Sequence, residues 1–151
     1  MYAVSPMQSA MKNKRVLAID YGTKRIGLAV SDELRILATP AGIIENSKAA
    51  INDILYLIDE RNVGTVILGL PTTLSGGDSE WTSEVKKFGD KLKNSLEQRG
   101  IEFSFYDERL TSIIAEQNIR AQELSKSKHK EKYRRDEEAA RIILQEWLDM
   151  K

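Results

Sequence analysis

The 151-residue sequence predicts an α/β domain in which helices cover both faces of a five-stranded mixed sheet. Its length is typical of one compact domain. Three short apolar runs with tight connections open the chain, which indicates antiparallel strands. Two later apolar runs each follow a segment with helical periodicity, so their strands should be parallel to one another. We expect a single domain over residues 12–151, preceded by a disordered extension over residues 1–11.

The first three predicted strands cover residues 16–19, 26–31 and 34–39. Aliphatic and β-branched side chains fill these runs, as is usual in strands. The first strand stops at Asp20, and the second begins only a few residues later, which is typical of a hairpin. Pro40 should close the third strand, because proline has no backbone N–H for the sheet ladder.

Helices should alternate with strands from residue 47 onward. Ser47 should cap a helix that ends at residue 60 or 61, and an apolar strand should follow over residues 63–68. After a loop, Asp78 or Ser79 should cap a second helix that ends before Gly100. The remaining predicted elements are a strand over residues 101–106 and helices over residues 111–121 and 135–148.

The composition excludes several classes of protein. The absence of cysteine excludes a disulfide scaffold, a Cys-ligated zinc site and thiol catalysis. The 23 basic residues balance the 23 acidic ones, so no net field attracts nucleic acid and any such binding needs a local patch. No apolar run approaches the ~20 residues of a membrane span, and we expect a cytoplasmic protein. Neither glycine-rich motif for binding dinucleotides or nucleotide phosphates occurs in the chain.

Three acidic residues stand at the edges of apolar elements. Asp20 ends the first strand, Glu108 follows the fifth with Asp107, and Asp136 opens the last predicted helix. Ligand sites of open α/β sheets lie beyond the carboxyl ends of strands, so these side chains could converge. Two carboxylates ~4 Å apart repel by roughly 4 kcal/mol at an effective dielectric of 20, so such a cluster takes up protons or holds a cation. Oxygen ligands alone favour Mg²⁺ or Mn²⁺, which can assist phosphodiester hydrolysis.

Asp136 shares its predicted helix face with apolar residues. It lies four and seven residues before Ala140 and Ile143, whereas Glu138 aligns with Arg141 on the polar face. Asp136 is therefore the better metal ligand. The alternative is that Asp136 only stabilises the helix N-terminus and that Glu137 pairs with Arg141.

The turn after Asp20 combines backbone amides, Lys24 and Arg25, and it could hold a phosphate. The alternative is a plain hairpin in which Gly22 supplies a positive φ and both cations are solvated. A second basic segment, residues 120–135, contains seven cations and two anions. It predicts either contact with nucleic acid or a solvated loop.

The only histidine and the two tryptophans give weaker signals. His129 lies inside the basic segment, and we interpret it as a surface residue because no neighbour in sequence would orient it as a base. Trp81 and Trp147 fall on apolar helical faces, so we interpret both as core residues.

Four ordered sequence blocks resemble the YqgF family. They are the segment from Val16 to Ala29 (VLAIDYGTKRIGLA), Gly69-Leu70-Pro71, the segment from Asp107 to Thr111 (DERLT), and Asp136 with the apolar residues that follow it. Their order and spacing agree over residues 14–148. The resemblance implies a ribonuclease H-like fold. Members of that family are described as Holliday junction resolvases and as nucleases that mature the 5′ end of the 16S ribosomal RNA precursor.

The resemblance also implies the roles of individual residues. Its acidic triad falls on Asp20, Glu108 and Asp136, which would bind Mg²⁺ or Mn²⁺, with water as nucleophile and a 5′-phosphate in the product. The residues expected to contact nucleic acid are Lys24, Arg25, Arg109, Thr111, Arg134 and Arg135.

The leading hypothesis is a metal-dependent endonuclease acting on structured nucleic acid. Maturation of the 5′ end of pre-16S rRNA, with the ribosome as a possible partner, is the first candidate, and resolution of Holliday junctions is the second. Two other hypotheses remain: an actin-like or sugar-kinase-like ATPase, which the single-domain length disfavours, and a non-catalytic nucleic-acid-binding module. The sequence does not assign a monomer or a homodimer.

Overall fold

A computed structural model describes residues 14–71, 79–107 and 128–150, with the backbone alone for residues 128–136. Within these ranges the elements follow in the order β1 (Arg15–Tyr21), β2 (Arg25–Ser31), β3 (Ala38–Glu45), α1 (Ala50–Arg61), β4 (Val63–Leu70), α2 (Glu80–Glu97), β5 (Glu102–Asp107) and α3 (Lys128–Asp149). The predicted extension over residues 1–11 and the predicted helix over residues 111–121 lie outside the described residues.

The strands form one mixed sheet in the order β3-β2-β1-β4-β5. β2 is antiparallel to both β1 and β3, while β4 is parallel to both β1 and β5. The predicted five-stranded mixed sheet is confirmed. Because β1, β4 and β5 run in the same direction, their carboxyl ends lie at one edge of the sheet.

The side chains of β1 alternate between two apolar cores, one on each face of the sheet. Leu17 and Ile19 pack with residues of α1 and α2, whereas Val16 and Ala18 pack with residues of α3. Helices on both faces are therefore confirmed. The largest fully buried helical side chains are Ile54 and Ile58 of α1, Leu92 and Leu96 of α2, and Ile143 and Leu144 of α3.

The predicted bounds of the third strand are wrong. β3 begins at Ala38, four residues later than predicted, and it continues past Pro40 to Glu45. Pro40 is tolerated because β3 is an edge strand, where a missing N–H need not break a ladder. The register with β2 also shifts between Leu28 and Ala29, opposite this part of β3.

The predicted start of α1 needs a smaller correction. Its N-cap is Ala49, with no side-chain capping bond, and the Ser47 hydroxyl accepts the Ala49 N–H at 3.2 Å in the preceding turn. The predicted end at Arg61 is confirmed. For α2 the predicted cap is also confirmed, since the Ser79 hydroxyl accepts the backbone N–H of Thr82 at 3.1 Å.

α3 begins at Lys128, seven residues before the predicted start. The charged run before Asp136 consists largely of Lys, Arg and Glu, which are good helix formers, so reading residues 128–135 as a loop was wrong. Asp136 is therefore not the first residue of the helix. The alternative that it stabilises the helix N-terminus is wrong, because the helix dipole acts only within the first turn. The alternative pairing is also wrong: Glu138, not Glu137, bonds to Arg141, at 2.6 Å.

Candidate active site

Asp20 is the next-to-last residue of β1, and it is half-buried. Successive side chains of a strand point to opposite faces, so Asp20 belongs with Val16 and Ala18 on the face that α3 covers. Its antiparallel partner on β2 is Gly27, which has no side chain to cover this position. The carboxylate therefore lies at the carboxyl edge of the sheet, on the α3 side.

The sheet register brings the end of β5 to the level of Asp20. Ile19 pairs with Leu68 of β4, and Leu68 pairs with Phe105 of β5. β5 ends at Asp107, two residues after Phe105. Two strand spacings separate β1 from β5, which corresponds to about 10 Å. The residue that precedes Glu108 in the chain thus lies at the same edge as Asp20.

The C-terminal half of α3 is bonded to the backbone at the end of the sheet where β1 begins, opposite to the end where Asp20 lies. Gln145 accepts the backbone N–H of Ala38 and donates to the carbonyl of Ile36, each at 2.9 Å. Ala38 pairs with Ser31, whose hydroxyl accepts the N–H of Val16 at the start of β1. These bonds fix the position of α3 along the strands.

Several of the predicted site residues cannot be placed as side chains. Glu108, Arg109 and Thr111 lie outside the described residues, and for Arg134, Arg135 and Asp136 only the helical backbone is described. No group of three His, Asp or Glu side chains that could hold a metal occurs in the part of the chain whose side chains are described. The three-carboxylate site therefore stays a prediction, with Asp20 as its one placed member.

Asn46, directly after β3, fixes the turn that follows Asp20. Its side-chain amide donates to the carbonyl of Gly22 at 2.7 Å and approaches the carbonyl of Thr23 at 3.4 Å. Its backbone N–H donates to the carbonyl of Lys24 at 2.9 Å, and its side-chain oxygen accepts the Tyr21 hydroxyl at 3.4 Å. Asn46 was not predicted from the sequence, because no motif links it to a turn more than 20 residues earlier.

Gly22 is needed for space rather than for a left-handed conformation. It is not among the glycines with positive φ, so the hairpin interpretation given above is wrong on this point. A Cβ at this position would collide with the backbone carbonyl of Arg25. The glycine therefore permits a close backbone approach within the turn.

The two predicted phosphate-binding cations of this turn line an open cleft. Lys24 is exposed, Arg25 is half-buried, and the cleft of about 410 Å³ also involves Ile43, Ile44 and Glu45. Arg25 alternates with Gly27 along β2 and so belongs to the sheet face of Asp20. The structure thus brings Arg25 and Asp20 to one face and one edge.

Aromatic packing holds the end of β1 against α2. The ring of Tyr21 stacks on Trp81 with centroids 5.5 Å apart and contacts Phe88 at 4.4 Å. Trp81 and Trp147 are half-buried and pack against the two cores, which confirms that both are core residues. Thr82, a buried residue that the sequence analysis missed, donates its hydroxyl to the carbonyl of Pro71 at 2.5 Å and fixes the chain after β4.

The exposed face of α3 carries a bidentate ion pair. Arg141 donates to both carboxylate oxygens of Glu138, at 3.1 and 2.6 Å, and this hydrogen bonding raises the pKa of Arg141. One turn further along, Gln145 bonds to Asp149 at 3.0 Å. Gln145 therefore links this face both to Asp149 and to the backbone at the start of β3.

The sequence matches a family model over nearly the whole chain. The model describes "RuvX: Holliday junction resolvase", and it matches residues 14–150. The chain belongs to the RuvX family. RuvX is another name for the YqgF family, so this membership confirms the resemblance. It identifies the chain as a nuclease, a hydrolase that acts on nucleic acid. It also favours the nuclease hypothesis over the ATPase hypothesis.

Curated relatives cover almost the same residues of this RuvX-family chain. The protein of Maridesulfovibrio salexigens is 38% identical over 136 residues, which are 89% of this chain and 97% of the relative. That of Sulfurihydrogenibium sp. (strain YO3AOP1) is 39% identical and covers 89% and 90% of the two chains. Both carry the name "Putative pre-16S rRNA nuclease".

Solved structures support the fold of the RuvX-family chain. RuvC of Thermus thermophilus in complex with a Holliday junction substrate matches with a TM-score of 0.53 and 15% identity, covering 86% of this chain and 91% of that one. A second T. thermophilus RuvC structure gives a TM-score of 0.52. At this identity the match shows a common α/β, ribonuclease H-like fold. Among the described residues, no helix has the length and apolar character required to cross a membrane.

Proposed function

We propose that this RuvX-family nuclease matures the 5′ end of the 16S ribosomal RNA precursor, using Asp20, Glu108 and Asp136 to hold Mg²⁺ or Mn²⁺. The observation that carries the proposal is the position of Asp20, at the carboxyl end of the central strand and on the face covered by α3. Ligand sites of open α/β sheets lie at this edge. The relatives that cover about nine-tenths of the chain supply the proposed substrate through their names.

The register of β5 supports the role of Glu108. Tyr106 lies level with Asp20, packs against the α3-side core and bonds to Glu146 of α3 at 2.9 Å. Asp107, the residue before Glu108 in the chain, ends β5 at the carboxyl edge where Asp20 lies. Ligand sites of open α/β sheets lie at this edge, which supports Glu108 as a second ligand.

The placement of α3 supports the role of Asp136. Its buried residues Ala140 and Ile143, which precede the anchor at Gln145, pack in the same core as Val16 and Ala18 of β1. The nine residues from 145 to 136 span about 14 Å at the helical rise. The four residues from Val16 to Asp20 span about 13 Å along β1. The matching lengths favour residue 136 at the edge where Asp20 lies.

The proposed donor set fits a hard divalent cation. It consists of carboxylate oxygens alone, the ligands that Mg²⁺ and Mn²⁺ prefer. A bound cation would lower the pKa of a coordinated water and stabilise the leaving oxygen. In this arrangement Asp20 binds the metal, and Lys24 and Arg25 hold substrate phosphates in the adjacent cleft. Arg109, Thr111, Arg134 and Arg135 are proposed as further phosphate contacts.

Resolution of Holliday junctions is the second candidate function. The family description favours it, and the RuvC structure with a similar fold was determined with such a junction. Phosphate contacts position a nucleic acid without encoding its sequence, so the described cations are compatible with both substrates.

A cleavage assay with both substrates tests the proposal. We expect purified protein with Mg²⁺ or Mn²⁺ to trim a pre-16S RNA fragment, to leave a 5′-phosphate, and to lose this activity with a chelator. Faster cleavage of a synthetic four-way DNA junction than of the RNA would favour the second candidate. Binding of RNA without cleavage under any of these metal conditions would contradict nuclease function and favour a non-catalytic binding module.

A further inference from the structure

One residue, Asn46, bonds to the entire connection between β1 and β2. Through its side chain and its backbone N–H, Asn46 contacts the four consecutive residues from Tyr21 to Lys24. Asp20 immediately precedes this segment, and the cleft lined by Lys24 and Arg25 follows it. Asn46 is thus the link between the end of β3 and the turn beside the candidate active site.

The contacts of Asn46 fix the directions of two peptide groups. In a planar trans peptide, the carbonyl of one residue and the N–H of the next point in opposite directions. The carbonyls of Gly22 and Thr23 face the Asn46 amide. The N–H groups of Thr23 and Lys24 must therefore point away from Asn46.

Successive backbone N–H groups in a turn, such as these, can form a concavity for anions. The cations Lys24 and Arg25 flank these groups, and Lys24 is exposed. A phosphate at this point would meet two backbone donors and two positive side chains next to Asp20. The same peptide groups would not keep this direction without Asn46, because short turns with glycine have several accessible conformations.

We propose that Asn46 is a positioning residue, which holds the N–H groups of Thr23 and Lys24 toward a substrate phosphate beside Asp20. The proposal rests on the nuclease function proposed above, since the phosphate belongs to the nucleic-acid substrate. Asn46 acts through the turn and does not itself contact the reacting atoms.

Two substitutions separate the elements of this role. Asn46→Ala removes the side-chain donor and acceptor together. Asn46→Asp keeps the shape and the oxygen facing Tyr21, but it replaces the amide donor by a carboxylate that repels the carbonyl of Gly22. Asn94→Ala on the exposed side of α2 is the matched control. Thermal unfolding establishes that each variant is folded at the assay temperature.

The first measurement is the steady-state kinetics of RNA cleavage. Loss of ground-state phosphate binding raises KM and leaves kcat nearly unchanged. For Asn46→Ala we expect KM to rise about 5- to 10-fold, the size of effect that one or two lost hydrogen bonds produce. Asn46→Asp should raise KM at least as much, and Asn94→Ala should match the unsubstituted protein. A fall in kcat with an unchanged KM would show that Asn46 does not contribute to ground-state phosphate binding, and it would overturn the proposal.

The second measurement is independent of cleavage. The protein is titrated with pre-16S RNA in the absence of metal, and binding is followed by amide NMR. We expect the Thr23 and Lys24 resonances of the unsubstituted protein to shift. The affinity of Asn46→Ala for the RNA should be about 5- to 10-fold weaker. Unshifted resonances, or equal affinities for the two proteins, would overturn the positioning role. If the unsubstituted protein binds RNA in this way but cleaves nothing, the proposed nuclease function fails while the role of Asn46 in phosphate binding stands.

Discussion

In each of the two hairpin turns, which lie at opposite ends of the strands, one side chain bonds to the backbone, but to opposite kinds of group. In the turn between β1 and β2, the side chain of Asn46 bonds to carbonyl groups, those of Gly22 and Thr23. In the turn between β2 and β3, the carboxylate of Asp32 accepts N–H groups, those of Ile36 at 2.7 Å and Leu37 at 2.9 Å.

This difference determines what each turn can bind. A turn whose carbonyls are bound from one side presents N–H groups on the other, which suits an anion. A turn whose N–H groups already bond to an internal carboxylate has fewer donors left for a ligand. The second turn instead exposes three large apolar side chains, those of Leu34, Ile36 and Leu37, which are 73%, 64% and 60% exposed. We therefore expect the first turn to serve activity and the second to serve stability alone.

Substitution of one aspartate beside each turn gives the largest expected difference in cleavage activity. Asp20→Asn removes a proposed metal ligand, and since loss of even an outer partner of a metal site costs 10- to 100-fold, we expect activity to fall more than about 100-fold. Asp32→Asn, in the other turn, should keep activity within about twofold, because surface changes away from the site have small effects. The assay is single-turnover cleavage of pre-16S RNA with Mn²⁺. Equal activity of the two variants would contradict the expectation that only the first turn serves activity.

Arg35 tests the stabilising role of the second turn. Its guanidinium donates to the carbonyl of Lys14 at 2.9 Å and to the hydroxyl of the buried Thr65 at 3.1 Å. Arg35→Ala should lower the free energy of unfolding by about 1–3 kcal/mol, because it leaves the buried hydroxyl of Thr65 and the half-buried carbonyl of Lys14 without this donor. Urea denaturation measures this loss. Arg99→Ala, which breaks an exposed ion pair with Asp59, should cost less than about 1 kcal/mol.

The activity of Arg35→Ala completes that test. At a temperature well below unfolding, cleavage of RNA should equal that of the unsubstituted protein. A loss of activity without a loss of stability would mean that the second turn also contributes to the active site.

Lys24 tests the electrostatic role of the first turn. Each phosphate neutralised on single-stranded nucleic acid adds about 0.7 to the slope of log affinity against log salt. Lys24→Ala should therefore reduce that slope by about 0.7, with a several-fold loss of affinity at low salt. Arg15→Ala near the second turn should leave the slope unchanged. Fluorescence anisotropy with metal-free RNA over a series of salt concentrations provides the measurement.

The sequence predicts the regular elements of the fold better than their ends. The alternation within β1 and the helical spacing in α1 and α2 each reflect burial against one core, so local pattern and final structure agree. One error arose where a distant element decides the outcome, because Pro40 is tolerated only since β3 is an edge strand. The other error was local: the charged residues before Asp136 are good helix formers and continue α3.

The same holds for the candidate site: a local pattern predicts where some residues lie, but it does not predict contacts between distant segments. The placement of Asp20 could be predicted because it ends an apolar strand, and that of Arg25 because it follows in the same turn. The contacts of Asn46 could not, since they depend on the antiparallel pairing of β2 with β3, which brings the end of β3 back to the first turn. A local sequence pattern contains no signal for that contact.

The pH dependence of stability gives the smallest expected contrast between the turns. Hydrogen bonds from the backbone N–H groups of Leu37 and Ile36 lower the pKa of Asp32 from its ordinary value of 3.8. A carboxyl whose pKa is lower in the folded protein adds stability above its unfolded pKa, and this stability is lost as the pH falls through the folded pKa. Asp32→Asn should therefore have a lower Tm than the unsubstituted protein at pH 7, and the difference should shrink below about pH 4. Asp53→Asn on the exposed side of α1 is the control in the same thermal unfolding series. A constant Tm difference from pH 7 to pH 3 would contradict the role of the ionised carboxylate, because the bonds that it accepts would then contribute equally in both charge states.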